Sequence, residues 1–309
     1  MCSANQSAVT EFILIGLSED PKVQIGLFYI FLVVYLTTLV GNLLLIVAVR
    51  SSKHLHTSMY FFLANLSFLD ICYTSTVVPK MLANLISTKK TISYTGCMIQ
   101  VYFFLLMAET ECILLALMAY DRYVAICYPL QYNIIMNTQV CFWLISVSWL
   151  TGCLISSIDI YFLLDLTYCG STTIDHFFCE APLLLQLSCS DITLISIVKL
   201  VGTIFFLFIP LPLILISYFR IIMAILKIRM GKYKAFSTCV SHLMVVVMFY
   251  GAAMFMYMRS DHSTTENRDK MVAVFYTVIT PVLNPVIYSL RNKDVLKAVR
   301  QLYCFSSRF

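Results

Sequence analysis

Met118-Ala119-Tyr120-Asp121-Arg122-Tyr123-Val124-Ala125-Ile126-Cys127 places an acid beside a base at the end of an apolar run that begins near Cys97. About 30 residues of helix span about 45 Å, enough to cross a bilayer at a tilt. An ion pair at a membrane edge is cheap to keep and easy to break, which suits a switch. The plainer reading is a helix end with snorkelling charges. The rest of the chain decides between them.

Hydrophobic residues make up 60% of the 309 and charged residues 12%, which excludes an ordinary soluble domain. The pattern predicts an all-α membrane protein, a seven-transmembrane helix bundle with a short amphipathic helix after the seventh span. Its apolar segments run near Ile25–Val49, Ser58–Leu85, Cys97–Cys127, Gln139–Tyr161, Thr193–Leu226, Ala235–Met258 and Met271–Leu290. Short polar connections join them, except for one long loop at Phe162–Ile192. Residues 1–24 read as an extracellular N-terminus, 25–290 as the bundle and 291–309 as a cytoplasmic tail. The first 24 residues lack the basic segment, apolar core and cleavage site of a removable signal, so the first span is expected to target the chain.

Orientation follows from charge. Connections after the odd segments, with the tail, carry Arg50, Lys53, Arg122, Arg220, Lys227, Arg229, Lys232, Lys234, Arg291, Lys293, Lys297 and Arg300, opposed by Asp121 and Asp294. Most acids fall on the other side, among them Asp165, Asp175, Glu180 and Asp191. Basic loops stay inside, so the N-terminus is expected outside, at the plasma membrane, and the tail in the cytosol. There Lys293–Leu302 reads as an inner-surface helix with Val295, Leu296, Val299 and Leu302 toward lipid. Asn5-Gln6-Ser7 is then a glycosylation site on the outer side, whereas Asn65-Leu66-Ser67 lies within a span and cannot be used.

Polar groups inside apolar helices need a partner or a task. Asn42, Asp70, Glu111 and Asn284 sit at depths that converge in one bundle. Two carboxylates there either hold a cation such as sodium or stay protonated and bond to neighbours. Pro281-Val282-Leu283-Asn284-Pro285-Val286-Ile287-Tyr288 makes a weak, kinked point, because each proline removes a backbone donor and frees a carbonyl. Asn284 is expected to satisfy a freed group. Pro210 and Pro212 do the same in the fifth segment. No Ser-His-Asp set, Gly-rich phosphate loop or zinc spacing occurs, so neither an enzyme nor a nucleic-acid binder is indicated.

Met118–Cys127, Lys234-Ala235-Phe236-Ser237-Thr238-Cys239-Val240-Ser241-His242-Leu243 and Pro281 through Asn292 together resemble the olfactory receptors, a family of rhodopsin-like G-protein-coupled receptors. Gly41-Asn42, Leu66-Ser67-Phe68-Leu69-Asp70 and Phe249-Tyr250-Gly251 agree, so the resemblance covers nearly the whole chain. Composition and periodicity imply seven helices and a topology; odorants come from the resemblance alone. It implies a receptor for a small, mostly hydrophobic volatile molecule, coupled to a stimulatory heterotrimeric G protein that raises cAMP. It also implies the disulfides Cys97–Cys179 and Cys169–Cys189, which the oxidising outer face permits. With Cys179 so engaged, His176-Phe177-Phe178-Cys179-Glu180 is a poor metal set. Cys304 is a candidate for palmitoylation, or a free cytosolic thiol.

The resemblance places the switch at Asp121, Arg122, Tyr123, Tyr218, Asn284, Pro285 and Tyr288. Arg122 pairs with Asp121 at rest, then turns to Tyr218 and Tyr288 as the sixth helix swings out. The ligand pocket is expected at Phe104, Leu105, Ala108 and Glu109, opposite Gly202, Thr203, Phe206, Ala253, Met254, Tyr257 and Thr277, with Tyr250 as its floor. Glu109 either faces the ligand or turns toward the fourth or fifth helix; Lys199 answers it or snorkels to water. The chain departs from the family at Ser58, usually Pro, at Ala108, usually Gly, and in lacking an Asn-Glu pair ahead of Lys199. The last departure sets its pocket chemistry apart. A transporter or cation pathway using Asp70, Glu109 and Glu111 is the alternative from another functional class.

Overall fold

Asp20 opens the first helix by accepting from the Lys22 backbone N–H at 2.8 Å, with Pro21 at the first helical position. Ser93 caps the third helix through Gly96 N–H at 3.1 Å, and Asn137 the fourth through Val140 N–H at 2.9 Å. In this computed structural model, residues 9–169, 171–227, 232–257, 266–291 and 293–306 are described, with the backbone alone at 232–238, 257, 266, 289–291, 293 and 301–306. Seven helices are long and apolar enough to cross a membrane. They are α1 (Pro21–Ser51), α2 (Ser58–Ile86), α3 (Tyr94–Cys127), α4 (Thr138–Leu164), α5, α6 (Lys232–Tyr257) and α7, followed by α8 (Lys293–Ser306).

Both α5 and α7 are interrupted ahead of a proline. Helix α5 joins Thr193–Thr203 through a π-helical turn, Ile204–Phe208, to Pro210–Lys227. Helix α7 joins Glu266–Val274 through Phe275–Ile279 to Thr280–Arg291. Pro210 and Pro281 cannot donate to the preceding turn, and the extra residue of a π turn absorbs the mismatch. Ile209 N–H reaches back to Ile204 at 3.1 Å, and the Thr280 hydroxyl covers the Phe275 carbonyl at 3.2 Å.

Helix α3 is the axis of the bundle: 67% of its apolar window is buried, against 22% in α1 and α5. On α1 the outward residues Tyr29, Val33, Leu36, Val40, Leu43 and Val47 recur at helical spacing. That continuous apolar stripe is a lipid-facing surface. Helices α3 and α4 approach closely at Gly152, where an added Cβ would stand 2.6 Å from Thr110 Oγ1 and 3.2 Å from the Leu106 carbonyl.

One end of the bundle carries a cap that hydropathy does not reveal. Strand β1 (Glu11–Leu14) is the middle of a three-stranded sheet, antiparallel to β2 (Thr91–Ser93) and parallel to β3 (Thr173–Ile174). Phe12 and Leu14 are buried beneath it, Phe12 against the Tyr94 and Tyr168 rings. Disulfides Cys97–Cys179 and Cys169–Cys189 tie the long loop to α3 and to itself. Gln100 clamps the same loop, accepting from Cys179 N–H at 2.9 Å while donating to the Thr76 carbonyl at 3.0 Å.

Residues 1–24 contain β1 and the first residues of α1. One expectation needs revision. In α8, Val295 is fully buried with Ala298 against the bundle rather than turned to lipid, because α8 packs on α1. Asn5 lies outside the described residues, as does the Cys304 side chain.

Gly152→Ala should force α3 and α4 apart, since the Leu106 backbone cannot yield. Overpacking of this kind costs about 1–3 kcal/mol. The expected result is a lowered thermal midpoint of the purified protein; a midpoint equal to wild type would show that the interface relaxes freely.

Candidate functional site: a charged latch, a polar core and an aromatic chamber

At the end of the bundle opposite the disulfides, Asp121 is fully buried and uses both oxygens. Oδ2 holds the Arg122 guanidinium. Oδ1 accepts from Ser58 Oγ at 2.6 Å and from the Tyr132 hydroxyl at 2.9 Å. Burial, and then the Asp121 charge, push the Tyr132 phenol up to about 12, so it remains a donor. Beside Arg122 lies a cavity of about 20 Å³ lined by Met59, Met118, Asp121, Arg122, His242 and Tyr288, room for about one water. Tyr218 pairs with His242 Nδ1 across α5 and α6, and the buried Tyr288 hydroxyl has no hydrogen-bond partner among the described residues. Tyr123 faces the other way, its ring against Tyr120 and Tyr128.

Nearer the middle, Asn284 Nδ2 donates to both oxygens of Asp70 at 3.1 Å each. Glu111 lies within electrostatic reach of Asp70. Glu111 Oε1, Asn284 Oδ1 and Asn42 Oδ1 are buried acceptors with no donor among the described residues. The group freed by Pro285 is served differently from expectation. Asn42, not Asn284, donates to the Pro281 carbonyl at 3.1 Å, because Asn284 is engaged by Asp70. Gly41 lets α1 come this close, its Cβ position lying 3.3 Å from Pro285 Cγ.

Toward the disulfide end, Phe104 packs on Tyr73, Phe178 and Tyr276 with ring centroids 5.3, 5.1 and 6.0 Å away. Leu105 and Phe206 are buried, Ala108, Gly202, Thr203, Ala253 and Met254 partly so. The hydroxyls expected to meet a ligand donate instead to their own helices, Thr203 to the Lys199 carbonyl at 2.8 Å and Thr277 to the Ala273 carbonyl at 2.6 Å. Tyr250 ties α6 to α3 by donating to the Cys112 carbonyl at 3.1 Å. Glu109 turns toward α4, where Ser156 donates to it at 2.9 Å. The Tyr257 side chain lies outside the described residues. Among the described residues no three His, Cys, Asp or Glu side chains gather as a metal cluster.

A sequence model described as olfactory receptor matches residues 31–305 of this chain. The chain belongs to the olfactory receptor family. Human olfactory receptor 2D2 is 50% identical over 304 residues, 98% of each chain. Human olfactory receptor 5AP2 is 49% identical over 300 residues, covering 96% of this chain and 95% of its own length. The dog olfactory receptor-like protein OLF4 is 49% identical over 301 residues, 97% of each. The family consists of multi-pass G-protein-coupled receptors and is not enzymatic.

Several residues of the receptor's sites escaped sequence reasoning. Ser58, in sequence only a departure from the family's usual Pro, bonds Asp121. Tyr132, Ser156, Asp159 and Gln100 gave no local signal beyond being polar near apolar runs. Only Asp159, a carboxylate inside the fourth span, could have been found by asking why an acid sits there.

The loop cap contains opposed titrations. Burial, with the Lys270 ammonium behind it, lowers His176 to about 3, Asp175 pulling weakly the other way. Burial raises Glu180 to about 7, against a hydrogen bond from Tyr276 and the pull of Lys199. His176 therefore contributes fully above pH 6.5, its ordinary value, and loses that contribution as pH falls, when the unfolded chain takes a proton that the folded cap refuses. At pH 5 the loss is about 2 kcal/mol. Glu180 runs the opposite way, its contribution falling as pH rises from about 4.5 to about 7. Because the two terms oppose each other over this window, His176→Phe should make the thermal midpoint rise, relative to that of wild type, as pH falls from 6.5 to 5; an unchanged pH dependence would refute the assignment.

Proposed function

We propose that the chain is an odorant receptor that binds a small, mostly hydrophobic volatile molecule in the chamber beneath the loop cap. It then activates a stimulatory heterotrimeric G protein and raises cAMP. Family membership supports this reading over a transport pathway. The observation that carries the coupling is the engagement of Arg122 by a fully buried Asp121 on the same helix that lines the chamber. The charge asymmetry supports a plasma-membrane orientation with the N-terminus outside and the Arg122 end in the cytosol, facing inner-leaflet lipid and the G protein.

A ligand moves such an equilibrium only by its differential affinity for the two states. Contact in the chamber is passed on through the Tyr250–Cys112 bond and α6; α6 carries His242, whose partner is Tyr218. Arg122, released from Asp121, then has Tyr218 and Tyr288 as neighbouring hydroxyls. Arg122→Ala should abolish ligand-evoked cAMP in cells while leaving ligand binding intact. Ser58→Ala removes one of the two donors to Asp121 Oδ1. A hydrogen bond to a charged group is worth about 1.5–3 kcal/mol, so ligand-free signalling should rise several-fold. Normal signalling from a well-expressed Arg122→Ala protein would refute the latch.

The polar core fits a sodium ion, since Asp70, Glu111 Oε1 and Asn284 Oδ1 form a set of hard oxygen donors, two of them lacking any donor of their own. A cation there would stabilise the resting arrangement of α2, α3 and α7. Replacing sodium by choline should raise basal signalling in wild type and have no effect on Asp70→Asn. Equal sensitivity of the two proteins would make the core purely structural.

A further inference from the structure

Glu109 of α3, Asp159 of α4 and Lys199 of α5 lie within electrostatic reach of one another beneath the loop cap, with Glu180 of the cap within reach of Lys199. Glu109 and Asp159 are 8% and 7% exposed. Asp159 lies on the inward stripe of α4 with Ser148, Gly152, Ser156 and Leu163, so it faces the bundle and not lipid. Ser156 serves Glu109, but among the described residues no side chain donates to Asp159. Lys199, half-buried on α5, feels Asp159, Glu109 and Glu180 together. It makes no ion pair within 4.0 Å with any of the three.

Charge balance then decides what such a corner accepts. Glu180 is already met by Tyr276. Glu109 and Asp159 together face one ammonium, so with these three ionised the corner is one positive charge short of neutral. In a region of low dielectric an uncompensated anion is costly. A carboxylic acid ligand would bring a further anion. An alcohol or ester would leave the imbalance unchanged and satisfy at most one acceptor. A protonated amine adds the missing positive charge and as many as three donors. Leu105 and Leu163, one helical turn from Glu109 and Asp159, are buried and supply an apolar wall beside the charges.

We infer that this corner selects ligands carrying a protonated amine, the ammonium lying between Asp159 and Glu109 and the hydrocarbon body along Leu105 and Leu163. The inference rests on the odorant-receptor reading for its place in signalling, and on the corner's own geometry for binding. Lys199 is then the element that limits the corner to a single additional cation.

The test uses the full-length receptor purified in detergent at neutral pH, with thermal stabilisation as the readout of binding. Probes are the straight-chain amines from butylamine to octylamine, with the matching alcohols and carboxylic acids. The best amine should reach half-maximal stabilisation at a concentration about tenfold or more below its alcohol, with the acid weakest. Asp159→Asn and Glu109→Gln should each weaken the amine about tenfold and the alcohol far less; Lys199→Met should strengthen the amine. Unliganded midpoints close to wild type identify variants that fold. Equal amine and alcohol concentrations, a preference for the acid, no amine effect at any chain length, or an amine response unchanged in both acid variants would each overturn the inference. Amine binding without a G-protein-dependent cAMP response would count against the receptor reading and leave the inference standing. A cAMP response to alcohols or esters without amine preference would do the reverse.

Discussion

The Pro281 carbonyl, stripped of its helical donor by Pro285, is taken by Asn42 from α1 at 3.1 Å. That bond expresses the constraint under which the whole bundle is built. Hydrocarbon offers no hydrogen bonds, so a polar group left open inside a span is costly unless another part of the protein closes it. Asn284 with Asp70, Ser156 with Glu109 and Tyr250 with the Cys112 carbonyl follow the same rule. Each joins two helices that apolar packing alone would hold only loosely, since lipid tails solvate leucine as well as leucine does. Pro285 creates one such open group, and its closure ties α7 to α1.

Signalling geometry follows from this economy of partners. Helix α3 carries Phe104 and Glu109 toward the capped end, Glu111 at mid-depth and Asp121 with Arg122 at the other end. The aromatic cluster, polar core and latch are thus stations on one continuous helix. Its neighbours α5 and α7 are broken by π turns. In the function proposed above, continuity in one helix and interruption in two others would let ligand contact reach Arg122 as a change of partners.

Much of this was legible in the residues, and the illegible parts have physical reasons. Hydrophobic runs located all seven spans, and α2 and α5 begin at Ser58 and Thr193 as expected. Helix α7 starts at Glu266 rather than near Met271, because hydropathy marks where hydrocarbon ends and not where a helix ends. Residues 266–270 are polar yet helical. Strands of two to four residues leave no period to detect, and their pairing is non-local. Asp121 and Arg122 stood out by type, whereas Ser58 and Tyr132 acquire meaning only when folding sets them on Asp121. The disulfide partners came from family resemblance, since four cysteines by themselves allow three pairings.

The central position of β1 in the capping sheet bears on how the receptor is assembled. Residues 11–14 are synthesised first, but their partners are residues 91–93 and 173–174. Both edges of that strand remain unpaired until two, and then four, spans have been threaded into the bilayer. Over that interval the strand is a sticky segment on a nascent chain. Its closure, with that of Cys97 on Cys179, comes late and reports that the preceding helices are in place. The cap therefore marks completion of the first four spans, and α5, α6 and α7 are added to a half whose closure is already possible.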